Sequence, residues 1–113
     1  MITRRNTKPL EIGNVQIGGN SPVSIQSMTK TPTSDIESTL KQINSVQENG
    51  CEIIRCAVPD MDSAIALKDI VSESPIPVIA DIHFHHELFG HIPHIPIQKN
   101  HFFYAFLEYF LIL

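Results

Sequence analysis

Three short apolar runs, at residues 23–28, 52–58 and 78–82, are separated by two segments with helical periodicity, and this order constrains the fold more than any other feature of the chain. Strand, helix, strand, helix, strand makes two successive βαβ units. Such units favour a parallel sheet with right-handed crossovers. Strands this short and apolar fit burial on both faces.

Local signals support each boundary. Ser34-Asp35-Ile36-Glu37 fits a capping box, with Ser34 as N-cap and Glu37 reaching back. Ile36, Leu40, Ile43 and Val46 follow at helical spacing, and Gly50 supplies the stop. The second strand closes at Pro59. A second helix follows over residues 61–71, capped by Asp60 or Asp62, with Ala64, Ile65, Ala66, Leu67, Ile70 and Val71 as a broad apolar face. Ser74-Pro75-Ile76-Pro77 ends it. Ahead of this array, residues 7–17 read as a hairpin turning at Gly13-Asn14.

The chain has 113 residues, whereas a complete (β/α)8 barrel needs roughly 250. The chain is therefore too short to be a complete barrel, and its expected architecture is a βαβαβ array preceded by a β-hairpin. Residues 1–84 form this part. Residues 85–113 have a different character. All six histidines fall between His83 and the C-terminus, and Pro93 and Pro96 lie three apart, which a helix interior does not tolerate. The last 12 residues are strongly apolar but too short to span a bilayer. They are expected to pack as a short helix or to form an aggregation-prone window.

A net charge of −4 without a Lys/Arg run argues against a general nucleic-acid binder, although one or two placed arginines suffice for a phosphate. The N-terminus lacks the pattern of a secretory signal, so a cytoplasmic location is expected. Cys51 and Cys56 lie five apart in what reads as one strand. They should face opposite sides and act as two small buried hydrophobes.

Each predicted strand carries polar residues near its C-terminal end: Gln26, Ser27 and Thr29 on the first, Arg55 on the second, Asp81 and His83 on the third. In a parallel sheet those ends share one edge, where α/β enzymes place their chemistry. Arg55 lies between Ile54 and Cys56 and must find a partner, because an unpaired buried charge costs several kcal/mol. Two readings stand: a bound phosphate or carboxylate, or a structural ion pair with Asp81. Asp81 and His83 are likewise either site residues or polar residues that cap a loop.

Several blocks occur together in order. They are Arg4-Arg5, Gly18-Gly19, Pro22-Val23-Ser24-Ile25-Gln26-Ser27-Met28-Thr29, Ile54-Arg55-Cys56-Ala57-Val58-Pro59 and Val78-Ile79-Ala80-Asp81-Ile82-His83-Phe84. In combination they closely resemble the N-terminal part of the 4-hydroxy-3-methylbut-2-enyl diphosphate synthases, over residues 4–84 and at most to Leu88. The resemblance implies that this array is the first βαβαβ portion of a dihydropteroate-synthase-like (β/α)8 TIM barrel, an incomplete barrel here, and that the family carries a [4Fe-4S] cluster in a separate C-terminal domain. It implies an oxidoreductase of the methylerythritol phosphate route to isoprenoids that acts as a homodimer. That enzyme reductively opens 2-C-methyl-D-erythritol 2,4-cyclodiphosphate, expelling water, with electrons from flavodoxin or ferredoxin. By the same resemblance, Arg55 matches a diphosphate-binding position, and Asp81 and His83 match substrate-facing residues. Gln26 joins them on its motif position alone. No catalytic residue is assigned.

The departures from the family are as definite. Its Arg-Ile-Asn-Pro-Gly-Asn block, its later strands and its cluster ligands have no counterpart here, and Cys51 and Cys56 do not match those ligands. The tail from about Phe89 reads as a frame-shifted or misjoined end, or a pseudogene product. A part-barrel is expected to be marginally stable and incapable of turnover alone. The alternatives are a metal-binding module built on His83, His85, His86, His91 and His94, or a small interaction protein that uses its aromatic C-terminus.

Overall fold

The computed structural model describes residues 3–82 and 102–106. Strands β1 (Leu10–Ile12) and β2 (Val15–Ile17) form the antiparallel hairpin, pairing Leu10 with Ile17 and Ile12 with Val15 across the Gly13-Asn14 turn. The chain then doubles back at Gly18. There φ is +74° and a Cβ would sit 2.6 Å from the Lys8 carbonyl oxygen, so only glycine fits without displacing the backbone.

A parallel sheet follows, with strand order β3-β4-β5-β6: β3 (Gln26–Met28), β4 (Ile53–Ala57), β5 (Val78–Ile82) and β6 (Phe102–Phe106). Helices α1 (Ile36–Glu48) and α2 (Met61–Glu73) make the two crossovers between β3, β4 and β5. The strand–helix order matches the sequence reading, and α2 runs two residues longer. Among the described residues the sheet is open; no barrel closes.

Three local expectations change. First, β3 is shorter than the apolar run implied. The Ile25 N–H is taken by the Glu52 carboxylate at 2.7 Å, and the Ile25 carbonyl accepts from both Glu52 and Ile53, so regular pairing starts only at Gln26. Second, α1 is capped by Asp35 rather than by a Ser34–Glu37 box. The Asp35 carbonyl already accepts from Thr39 N–H, which makes Asp35 the last non-helical residue, and its carboxylate accepts from Ser38 N–H at 3.1 Å. Third, part of the apolar C-terminal run is a strand and not a helix. Residues 102–106 pair in parallel with β5, from Val78–Phe102 to Ile82–Phe106. An aromatic-rich segment suits a pleated ladder better than a short helix.

The stop signals act as read. Gly50, at φ +99°, ends α1 with the Gly50 N–H on the Gln47 carbonyl and the Cys51 N–H on the Val46 carbonyl, a Schellman closure. Asp60, rather than Asp62, caps α2 by accepting from Ser63 N–H at 2.8 Å.

The two faces of the sheet are covered differently. Ile54, Cys56, Val78, Ala80 and Ile82 pack against Ile43 of α1 and Ala64, Leu67, Ile70 and Val71 of α2. Ile65 falls outside this face and is exposed. On the opposite face Ile53 and Ile79 pack against Ile12, flanked by Val15 and Ile17, so the hairpin covers the N-terminal half of that face. Cys51 and Cys56 are free and buried in the same helix-side cluster. The expected opposition fails because Cys51 precedes β4, where the two-residue alternation has not begun.

Candidate anion site at the strand ends

Alternation along β4 and β5 sets Arg55 two residues beyond Ile53, and Asp81 two residues beyond Ile79. The inner face of the sheet therefore has an apolar floor of Ile53, Ile79 and Ile12 with a charged layer above it. Arg55 is in register with Ile79 and Ala57 with Asp81, so the arginine meets the acid on the diagonal. Its Nη2 lies 2.9 Å from Asp81 Oδ2. The side chains are 24% and 1% exposed respectively. The acid is thus the buried anchor, and the guanidinium reaches partly into the open. A guanidinium carries five N–H donors. Nη2 serves Asp81, and Nε has no hydrogen-bond partner among the described residues.

The backbone around the pair is also tied down. Asp81 O accepts from Val58 N–H at 2.9 Å, while Arg55 O accepts from Thr29 N–H at 2.9 Å and from Thr29 Oγ1 at 3.3 Å. The Thr33 hydroxyl donates to Ala57 O. Thr29 and Thr33 are buried. Their structural part was not read from the sequence, although Thr29 closes the Gln26-Ser27-Met28-Thr29 block.

Of the four residues expected to bind substrate, the structure brings two together, Arg55 and Asp81. Gln26 shares their face but is level with Ile53, in the layer below, and is exposed; Met28 stands beside Arg55 instead. Gln26 drops because β3 begins where the sequence suggested it would be ending. His83 lies outside the described residues, as do the other histidines of the metal-module alternative.

The Cys56 thiol is pushed up from its ordinary value by burial, partly offset by a hydrogen bond with Thr29. Cys51 and Cys56 are enclosed in the helix-side core, and no group of three or more His, Cys, Asp or Glu side chains among the described residues could hold a metal. The two described thiols, enclosed in the core, do not fit an iron–sulfur cluster, which is held by several accessible ligands, most of them thiolates. A cleft of about 950 Å³ lies at the other end of the strands, among Pro9, Asn14, Pro22, Glu52 and Pro75. It contains neither Arg55 nor Asp81, and in barrels that end carries stability rather than chemistry. No helix among the described residues is long and apolar enough to cross a membrane.

A βαβαβ array bearing an arginine–aspartate pair at its strand ends is compatible with many barrels. Comparison with known proteins decides among them: residues 7–101 match the GcpE TIM-barrel domain. The chain belongs to the GcpE family. The family match runs past Phe84, the last residue of the recognised blocks. The chain is 55% identical over 87 residues to the 4-hydroxy-3-methylbut-2-en-1-yl diphosphate synthase (flavodoxin) of Clostridium perfringens, covering 77% of this chain and 25% of that protein. It is 60% identical over 84 residues to the enzyme of the same name from Sulfurihydrogenibium, covering 74% and 24%. For the Aquifex aeolicus enzyme the identity is 55% over 84 residues, again covering 74% and 24%. This GcpE-family chain thus spans about a quarter of the length of the curated relatives it matches.

Proposed function

We propose that this chain carries the first part of the substrate site of a 4-hydroxy-3-methylbut-2-en-1-yl diphosphate synthase, built on a dihydropteroate-synthase-like barrel. In this reading Arg55 receives the diphosphate of 2-C-methyl-D-erythritol 2,4-cyclodiphosphate, and Asp81 takes part in the substrate site by orienting Arg55. His83, by its motif position alone, and Gln26, from the layer below Arg55, are the further substrate residues of this reading. The carrying observation is the guanidinium of Arg55, 24% exposed at the strand ends and anchored at 2.9 Å by a buried carboxylate. Such a geometry suits an anion that presents several oxygens in one plane.

The whole reaction is reductive. The relatives' names include the word flavodoxin; in this reading flavodoxin or ferredoxin is the electron donor, and a [4Fe-4S] cluster would supply the electron transfer. Cys51 and Cys56, the two cysteines of the 113-residue sequence, are enclosed in the helix-side core and do not fit that cluster; in this reading the 113-residue chain tested alone binds substrate without turning it over. The assignment further implies a cytoplasmic, homodimeric oxidoreductase of isoprenoid biosynthesis.

The test is calorimetric titration of the full chain with the cyclodiphosphate and with inorganic pyrophosphate. R55Q should weaken both by about tenfold or more, the value of one charge-assisted contact. Equal binding by R55Q and the wild type, or no binding by the wild type, would remove the proposal. Turnover by the chain alone with reduced flavodoxin would overturn the claim of inactivity.

A further inference from the structure

β4 outruns its neighbour. β3 ends at Met28, level with Arg55, while β4 continues to Ala57. In a parallel ladder alternate carbonyls of one strand point to the same neighbour, so the Arg55 and Ala57 carbonyls both face the β3 side. The first is met by the Thr29 N–H and hydroxyl, at 2.9 Å and 3.3 Å. The second falls where the β3 backbone has already turned away, and the Thr33 hydroxyl takes the missing rung. Threonine side chains thus extend the ladder past the end of the strand.

The loop that carries them is braced from α1. Thr31 Oγ1 shares a 2.8 Å hydrogen bond with Thr39 Oγ1, and Thr39 Oγ1 also donates to Pro32 O at 3.1 Å. The Lys30 N–H donates to Gln42 Oε1 at 2.7 Å. Thr29, Thr33 and Thr39 are all buried. The result is a rigid clasp whose two outward contacts land on the carbonyls of Arg55 and of the residue two beyond it. A long arginine side chain magnifies any tilt of its backbone, and binding constellations need placement within roughly 0.5 Å.

We infer that Thr29 and Thr33 are positioning residues for Arg55, holding the β4 backbone so that the guanidinium meets a diphosphate while still paired with Asp81. This rests on the diphosphate reading of the site. Neither threonine touches the anion; each acts through the strand.

The experiment compares T29V and T33V, which keep shape but lose the hydroxyl, with T29S and T33S, which keep it. The 113-residue chain is titrated with inorganic pyrophosphate, and the Arg55 Nε–H resonance is followed by NMR without ligand, in spectra that also report folding. Both valine variants should weaken pyrophosphate about tenfold and shift or broaden the Nε–H signal, while the serine variants stay within about twofold of wild type. Valine variants that unfold more easily but bind with wild-type affinity would show the clasp to be structural only and overturn the inference. An unmoved Nε–H signal in both valine variants would do the same. Failure of the wild type to bind pyrophosphate would instead strike the diphosphate reading, and the Nε–H signal would still judge the clasp.

Discussion

Arg55 crosses from β4 to Asp81 on β5 along a sheet diagonal, with 2.9 Å between Nη2 and Oδ2 and the acid almost wholly enclosed. The pair is asymmetric: the aspartate is committed to the interior, whereas the arginine retains an outward side. Removing either partner therefore has different consequences.

Asp81→Ala leaves the guanidinium without its buried counter-charge beside the apolar floor of Ile53 and Ile79. Breaking a fully buried pair costs roughly 3–5 kcal/mol; the partial exposure of Arg55 reduces this to about 1–3 kcal/mol. A lower urea midpoint with an unchanged slope checks it. Arg55→Met, which keeps the stem and removes the charge, takes the guanidinium from the buried carboxylate and should lower the urea midpoint as well.

Acid should loosen both helices together. The Asp35 carboxyl is held below its ordinary value of 3.8 by the Ser38 backbone N–H and then by the Ser38 side chain. Asp60 is lowered in the same way by Ser63. A carboxyl lowered in the folded state stabilises it above the unfolded value, and the contribution is lost as pH falls through the folded value. Thermal melts should thus decline below pH 3.8, and the D35A and D60A variants should show a flatter decline in that range. A decline of the same steepness in wild type and D35A/D60A would contradict this.

Two glycines should respond unequally to alanine. Gly18→Ala places a methyl 2.6 Å from the Lys8 carbonyl oxygen at φ +74°, combining strain with a backbone clash. It should cost about 2–3 kcal/mol and disturb the hairpin. Gly50→Ala meets open space at φ +99° and should cost about 1 kcal/mol. Chemical denaturation of the two variants side by side gives the order.

The thiols should be silent in the folded chain. Cys51 and Cys56 are enclosed in the helix-side core, and burial raises the Cys56 thiol above its ordinary value, further reducing the reactive thiolate. A disulfide-exchange reagent at neutral pH should label neither residue until denaturant is added. Rapid labelling of Cys56 in the native chain would show that the α1–α2 side of the sheet opens.

Much of this architecture is legible residue by residue. The spacing of Ile36, Leu40, Ile43 and Val46, the glycine stop at Gly50 and the unbroken apolar run of Val78–Ile82 are local facts, and local propensity and periodicity suffice to convert them into α1, its end and β5. The need of Arg55 for a partner was equally visible, since a charge among Ile54, Cys56 and Val58 admits few outcomes. The capping of α1 was misread by one residue because Ser34 and Asp35 are both good caps, and only the path of the chain into the helix selects between them.

What the chain alone determined is the order of elements from β1 to β5, the face on which each residue of β4 and β5 stands, and a family identity carried by its motif blocks. What only the tertiary structure decided is relative height. Strand register is set by the packing of whole faces and by contacts such as that of Glu52 with Ile25, which are distant in sequence. That register seats Asp81 on the diagonal of Arg55, leaves Gln26 a layer below, and brings two threonines of a loop onto the last carbonyls of β4.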